Sequence, residues 1–540
     1  MLKYEQQLWG NFRIMRIAKK HWFFIATCLL FIVTAVTLVL TVFGHQLNPD
    51  ATSYFTIAQK YAHGDLRHAI NGYWGPLLSW MLVPAVWLGI SLTVAGKLVL
   101  VLFGCGILAT LYWFLESRGV ARTVTHFICL AAAIILLPWS VTSGITPDIP
   151  LVFFTLLFAT IFSSFIAAPT QRLAIILGII GALLYYTKAF GFYLFIAIVA
   201  LVALWQWRVS KQSLTRLSKQ YAPLIIVFGV LTLPFIGIIS VKYHQLTINN
   251  AGSYNQHVVG PKSFPMGQPI DYMGQLPPPN DTAVSAWEDP TIFTQLLPSW
   301  NPLHSRTNLG YFINDIFYTN ILTIIRSYAS MPVVISAGLL VLWIGCFGRS
   351  QYSREYRLFA LICGVSIAAY ASVFVVQRYL WPTMILGVAG LGLWLGSAVK
   401  NKLLTSRQLV AGGLLGCLCL GLITGYSISG QANPNLGVYN TAQKLQPLIP
   451  ERSKVMSDNF AVSIQTCYYL NLSCYNVMAP PEPKDFPTYH KQLKDLGISY
   501  YIDYHTREND VILQKLTKRY FTKVHTYTSK GVVVTLYKLS

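Results

Sequence analysis

The sequence predicts a polytopic α-helical membrane protein of about eleven transmembrane helices, followed by a small soluble α/β domain. Three observations carry that expectation. Of the 540 residues, 54% are hydrophobic and only 11% are charged, where an average soluble domain has roughly 25% charged residues. The apolar residues come in runs close to the ~20 residues that a bilayer crossing needs. From residue 431 onward such runs stop, and 13 Lys and Arg meet eight Asp and Glu. The low charged fraction also excludes a disordered chain.

Residues 1–430 divide into eleven apolar runs, at about 22–43, 95–115, 123–141, 150–168, 173–187, 190–207, 221–241, 331–348, 358–376, 380–399 and 409–428. The first follows Lys3, Arg13, Arg16, Lys19 and Lys20, with no small-residue cleavage site after it, and reads as an uncleaved anchor. Placing the N-terminus inside puts the connections 116–122, 169–172, 208–220, 349–357 and 400–408 on the same side. With the N-terminal segment they hold eighteen Lys and Arg, against Glu5, Glu116 and Glu355. The longer connections on the other side hold fewer cations, which is the positive-inside pattern. The loops 44–94 and 243–330 and the domain 431–540 then lie outside. The net charge of +21 is explained by topology, and no nucleic-acid partner is called for.

The stretch 73–90 is apolar, but Pro76 and Pro84 interrupt it and it carries three tryptophans. It reads as an interfacial or re-entrant helix pair; counting it as a span would move the basic segment 116–122 outside. In the loop 243–330, Pro277, Pro278 and Pro279 mark irregular chain, and 311–328 has apolar residues at helical spacing, suited to a membrane surface. Within 431–540, Ser499–Tyr504 and Val532–Leu536 alternate as strands, and Tyr489–Leu496 reads as a helix. Seven of the nine cysteines lie in or at apolar runs, where they act as small hydrophobes. Cys467 and Cys474 lie in the outer domain, either paired or as free thiols. No spacing resembles a zinc site or a phosphate-binding glycine loop.

Four ionisable residues stand at the ends of apolar runs, all on the outer side by alternation: Asp50, Asp148, Lys188 and Arg378. Each has a structural role open to it. Asp50 and Asp148 suit the N-caps of the segments that follow them, Lys188 can snorkel, and Arg378 can stack on Trp381. Together they are more informative. Two acids and two bases from four separate hairpins converge on one membrane face, where ionisable groups are costly. Lys and Arg at a lipid–water boundary suit an anionic headgroup, and a carboxylate beside them suits a general base. Sugar transfer from a polyprenyl phosphate needs that set. The leaving phosphate needs its charge neutralised, whereas glycoside hydrolysis uses a pair of carboxylates.

At these residues the sequence resembles the GT-C class of membrane glycosyltransferases, with the protein O-mannosyltransferases and the lipid A aminoarabinose transferases as the nearest branches. The match runs through Asn48-Pro49-Asp50, Tyr54, Ala58, Gly64-Asp65, Gly72-Tyr73-Trp74 and Pro76-Leu77. It continues in Pro147-Asp148, Gly181, Thr187-Lys188, Arg378-Tyr379 and Pro382. The resemblance implies a GT-C-like fold and an inverting enzyme that uses a polyprenyl-phosphate-linked sugar and a lipid or glycan acceptor, in the cytoplasmic membrane of a bacterium. It makes Asp50 the catalytic base and Asp148 a second acidic position, there to orient substrate or to bind a divalent metal. Lys188 and Arg378 become ligands of the donor phosphate, with Tyr54, Tyr73 and Trp74 beside the acceptor. The resemblance fixes no cofactor and leaves a divalent metal open. The family's first motif often reads Asp-Glu, but Ala51 follows Asp50 here, so any role of that Glu is missing.

The runner-up is a protein O-mannosyltransferase, with Asn255, His257, His304 and Arg306 as acceptor-side residues of the loop 243–310. A transporter or flippase for a polyprenyl-linked glycan belongs to another class. It predicts inverted repeats and midplane charges, neither of which the sequence presents. A third class is an assembly scaffold working through 431–540.

Overall fold

The computed structural model describes residues 21–261, 276–431, 435–478, 481–507, 510–529 and 532–540. The basic segment ahead of the first apolar run lies outside these residues. In chain order, α1 (His21–Phe43) leads to two short helices, α2 (Pro49–Ala62) and α3 (Pro76–Trp87). The bundle continues with α4 (Leu92–Ser117), α5 (Arg122–Val141), α6 (Asp148–Ala167), α7 (Gln171–Thr187), α8 (Phe190–Arg208) and α9 (Leu214–Lys242). A long connection holds α10 (Ala251–Val258) and α11 (Tyr318–Ala329). Then come α12 (Val333–Phe347), α13 (Ser353–Ala371), α14 (Trp381–Lys400) and α15 (Ser406–Gly430).

Every one of the eleven apolar runs forms a helix. Among the described residues, eight helices are long and apolar enough to cross a membrane: α1, α4, α5, α6, α8, α9, α15 and the segment Gln377–Lys400 that contains α14. At about 1.5 Å per residue such helices reach the ~30 Å of a hydrocarbon core. Helices α7 and α12 are shorter, at 17 and 15 residues, and α13 opens on Arg354, Glu355 and Arg357. Helix α3 has 12 residues, far too few to cross, and it is a single helix with Pro84 inside it rather than the helix pair expected for 73–90. Its Trp87 is exposed and donates to Ala62 O.

Burial ranks the helices. In α6, 78% of the apolar window is enclosed by protein, against 11% in α15, so α6 is central and α15 peripheral. Phe158, Phe162 and Phe165 of α6 pack with Phe195 and Tyr221. Helices α12 and α14 touch backbone to backbone, since a Cβ on Gly338 would lie 2.5 Å from Gly387 O. Small residues permit such approach where lipid supplies no hydrophobic drive.

The end of the chain adds α16 (Leu436–Leu445), β1 (Lys454–Ser457), α17 (Phe460–Leu470), β2 (Ser473–Val477), α18 (Phe486–Asp495), β3 (Ile498–Asp503), α19 (Val511–Tyr520), β4 (Phe521–Ser529) and β5 (Val532–Leu539). The strands form one sheet in the order β2-β1-β3-β5-β4. β1 runs parallel to β2 and β3, and β5 antiparallel to β3 and β4. The strands expected at 499–504 and 532–536 and the helix at 489–496 fall on β3, β5 and α18. Cys467 and Cys474 are buried free thiols, with Ser463 Oγ 2.9 Å from Cys474 Sγ. Helix α17 packs on the start of the chain: the Tyr468 ring lies 5.5 Å from Phe55, and Tyr469 donates to His45 O at 2.9 Å.

Candidate active site

Each of the four charged residues sits where a helix begins or breaks. Pro49 opens α2, because a missing N–H costs nothing in the first turn. Asn48, the residue before it, does not cap α2; its Oδ1 instead accepts the Ile145 N–H at 2.8 Å. That bond ties the start of α2 to the turn that leads into α6, whose first residue is Asp148. Two carboxylates thus stand at two helix N-termini, where the helix dipole favours negative charge. Lys188 lies in extended backbone at the break between α7 and α8. Against this break presses Gly75, where a Cβ would meet Thr187 O at 2.5 Å. Arg378 lies in the 3-10 turn Gln377–Leu380 that precedes α14.

These four side chains form one network. Arg378 Nη2 is 2.8 Å from Asp50 Oδ2, and its Nε is 3.2 Å from Asp148 Oδ2. Lys188 Nζ is 3.0 Å from Asp148 Oδ1, and Thr146 donates to Asp148 Oδ2 at 2.8 Å. Lys188 also lies 3.6 Å from the centre of the Tyr379 ring, which is stacked on Tyr370. Asp148 is the enclosed member, its side chain 2% exposed, whereas Lys188 and Arg378 are 23% and 34% exposed. The two cations are thus more accessible than Asp148. Burial disfavours the Lys188 ammonium, but Asp148 and the rings of Tyr370 and Tyr379 outweigh it, and its pKa lies above the ordinary value.

The simpler roles open to these residues are not the ones taken. Asp50 accepts from Arg378 and from the Trp287 indole N–H rather than capping α2. Asp148 binds side chains, and Lys188 pairs with it instead of reaching for an interface. Trp381 stacks on Trp139 with centroids 4.5 Å apart, and Arg378 leaves it for the carboxylates.

Tyr54, Tyr73 and Trp74 join a packed aromatic group beside Asp50. Trp74 stands 5.2 Å from Tyr54, 4.6 Å from Tyr73 and 5.7 Å from Trp287. Tyr54 is buried. Burial, then the fields of Asp50 and Asp148, hold its hydroxyl well above the ordinary tyrosine range, so it stays a donor. Among the loop residues, Asn255 accepts from the Tyr73 hydroxyl at 3.4 Å. His257 turns to Ser253 O, and His304 and Arg306 are exposed.

Sequence reasoning missed two groups. Lys97, fully buried in α4, donates to Gln46 Oε1, to Val141 O at 2.9 Å and to Ser143 O. It binds together the chain ahead of Asp50 and the chain ahead of Asp148. A lysine inside an apolar run was the available signal. The second group is Trp287 with Glu288 and Asp289, from the long connection. Glu288 forms a buried ion pair with Lys60 and accepts from Thr56, and Asp289 accepts from Tyr243 at 2.6 Å. A polar loop gives no periodicity to reveal such contacts.

The residues do not suit a divalent metal. Both carboxylates already contact cationic side chains, one of which, Arg378, bridges them, and hard cations demand several free oxygen ligands. Among the described residues no group of three or more His, Cys, Asp or Glu is placed to hold one.

No family model and no curated protein matches the sequence. Solved structures do. The chain superposes on ArnT from Cupriavidus metallidurans bound to undecaprenyl phosphate with a TM-score of 0.57 at 12% identity, covering 94% of this chain and 97% of that one. ArnT in the apo state gives the same values. The Archaeoglobus fulgidus oligosaccharyltransferase, tethered to an acceptor peptide containing the NVT sequon, matches with a TM-score of 0.51 at 11% identity, over 97% of this chain and 74% of that one. Both are GT-C glycosyltransferases, and the chain has the GT-C fold.

Proposed function

We propose that the protein is an inverting glycosyltransferase that moves a sugar from a polyprenyl-phosphate donor to a lipid or glycan acceptor outside the cytoplasmic membrane. In this reading eleven helices cross the membrane with the N-terminus inside. Residues 1–430 are the catalytic domain, and 431–540 is an extracytoplasmic α/β domain. One observation carries the proposal: Arg378 bridges Asp50 and Asp148, with Lys188 on the second carboxylate. A candidate base and two candidate phosphate ligands thus share one cluster, in a fold that in ArnT holds undecaprenyl phosphate.

The chemistry follows from the contacts. The acceptor hydroxyl oxygen attacks the anomeric carbon, the bond from that carbon to the phosphate oxygen breaks, and the hydroxyl proton passes to Asp50. The lipid phosphate leaves as an anion, so its charge is met by Lys188 and Arg378 rather than by an acid. Two Arg378 nitrogens face the carboxylates, and the guanidinium is partly exposed, so that it can also take a phosphate oxygen. The donor phosphate also competes for Nη2, which frees Asp50 Oδ2 to accept the hydroxyl proton when the substrate is bound. Asp148 keeps both cations in place.

A protein acceptor is the second reading, favoured by the likeness to an oligosaccharyltransferase carrying an acceptor peptide. The deciding experiment presents purified protein with a panel of synthetic polyprenyl-phosphate sugars and lipid, glycan or peptide acceptors, and follows release of free lipid phosphate. Turnover with none of the donors overturns the proposal.

A further inference from the structure

Helix α2 presents Asp50, Ser53, Thr56 and Lys60 at spacings of three, three and four residues, which is one helical stripe. Every member of that stripe is bound by the segment 287–288. Asp50 Oδ1 accepts from Trp287 Nε1 at 3.2 Å, and Ser53 Oγ donates to Trp287 O at 3.2 Å. Thr56 and Lys60 both bind the Glu288 carboxylate. Other elements hold the same segment. Trp74 Nε1 donates to Trp287 O at 3.1 Å, Asn71 Nδ2 to Glu288 O at 2.6 Å, and Tyr243 to Asp289.

The other side of the segment belongs to the C-terminal sheet. Cys474 N donates to Val284 O at 2.7 Å, and Ser285 forms a parallel bridge with Cys474. Residues 284–285 thereby extend the sheet beyond β2. Phe460 and Ile464 of α17 belong to one buried apolar cluster with Trp287. One short segment thus connects the C-terminal unit to a single oxygen of Asp50.

We infer that Trp287 is a positioning residue for the base of the reaction proposed above, and that the C-terminal sheet unit acts on the site by backing Trp287. A tryptophan indole donates and never accepts, so it fixes Oδ1 and turns Oδ2 toward Arg378 and the incoming hydroxyl. Among the described residues, the other charged and titratable groups facing Asp50 are Arg378, Asp148, Tyr54 and Tyr73, with Tyr379 beside them. All of these stay in place when only the indole N–H is removed.

The test is Trp287→Phe, which keeps the ring packing and deletes the donor, assayed by release of lipid phosphate across pH. The expected result is a fall in kcat of at least about tenfold, the usual scale for a hydrogen bond to a charged group, with KM for the donor within about twofold. The acid limb of the kcat profile moves to higher pH, because an unsupported carboxylate holds its proton more tightly. Phe460→Ala leaves the indole intact and removes its support. It lowers kcat in the same direction, and adds little when combined with Trp287→Phe. Wild-type kcat and an unmoved profile in Trp287→Phe would overturn the inference while leaving the function standing. If the wild type transfers from no lipid donor, the functional reading falls instead. The inference is then judged by carbodiimide labelling of Asp50, mapped by mass spectrometry. Labelling that extends to higher pH in Trp287→Phe supports it, and an unchanged pH dependence overturns it. The same labelling decides the matter on Phe460→Ala if Trp287→Phe does not fold.

Discussion

Arg378 and Asp50 stand 328 residues apart in the chain and 2.8 Å apart in space. The guanidinium reaches Asp148 as well, so two cations and two carboxylates close into a cluster with no net charge.

Asp50→Asn should keep the fold and lose transfer by at least about a hundredfold, the lower end of what a positioned base contributes. Lipid-phosphate release by purified variant, beside an unchanged melting curve, checks it. Full turnover would remove Asp50 from the base role.

Arg378→Lys should be little better than Arg378→Gln. A lysine offers one charge centre, whereas the arginine fork serves two carboxylates at once. Donor KM should rise about tenfold or more in both variants. Recovery of wild-type KM in Arg378→Lys would show that charge alone suffices.

The Lys60–Glu288 pair is buried on both sides, with side chains 4% and 3% exposed. Lys60→Met strands a carboxylate and should cost about 3–5 kcal/mol, read from thermal unfolding in detergent. Lys60→Met combined with Glu288→Gln should recover most of that loss. An equal or greater loss in the double variant would contradict the pairing.

Asp289 should make stability fall with rising pH. Burial is the largest influence on it and raises its pKa above 3.8, although Tyr243 and Thr291 donate to it. An acid whose folded pKa is raised contributes stability fully below the unfolded value and loses it as pH rises through the folded value. Asp289→Asn should therefore gain melting temperature relative to wild type at pH 7 more than at pH 4. A gap that does not change with pH would count against this account.

Turnover should survive EDTA, because both site carboxylates are engaged by Arg378 and Lys188. Loss of activity on chelation, restored by a divalent cation, would contradict the donor-set argument.

The sequence alone carried the helical architecture, because burial in lipid demands long apolar runs, and each run became a helix. It also carried the β3 and β5 strands and the four charged residues, since an ionisable side chain at the end of an apolar run is conspicuous. Lys97 was equally conspicuous inside such a run, yet its purpose depends on three partners that only the folded chain assembles. Trp287 left no trace in the sequence, because nothing in a polar loop marks one indole as the partner of a carboxylate 237 residues away.

Tertiary structure alone decided who pairs with whom. Composition and periodicity are local and are set by the solvent each segment faces, so they can be read residue by residue. The bonds from Arg378 to two acids, and from the segment 284–289 to both α2 and the sheet edge, depend on distances between distant parts of the chain. Helix packing sets those distances, and no single segment encodes them.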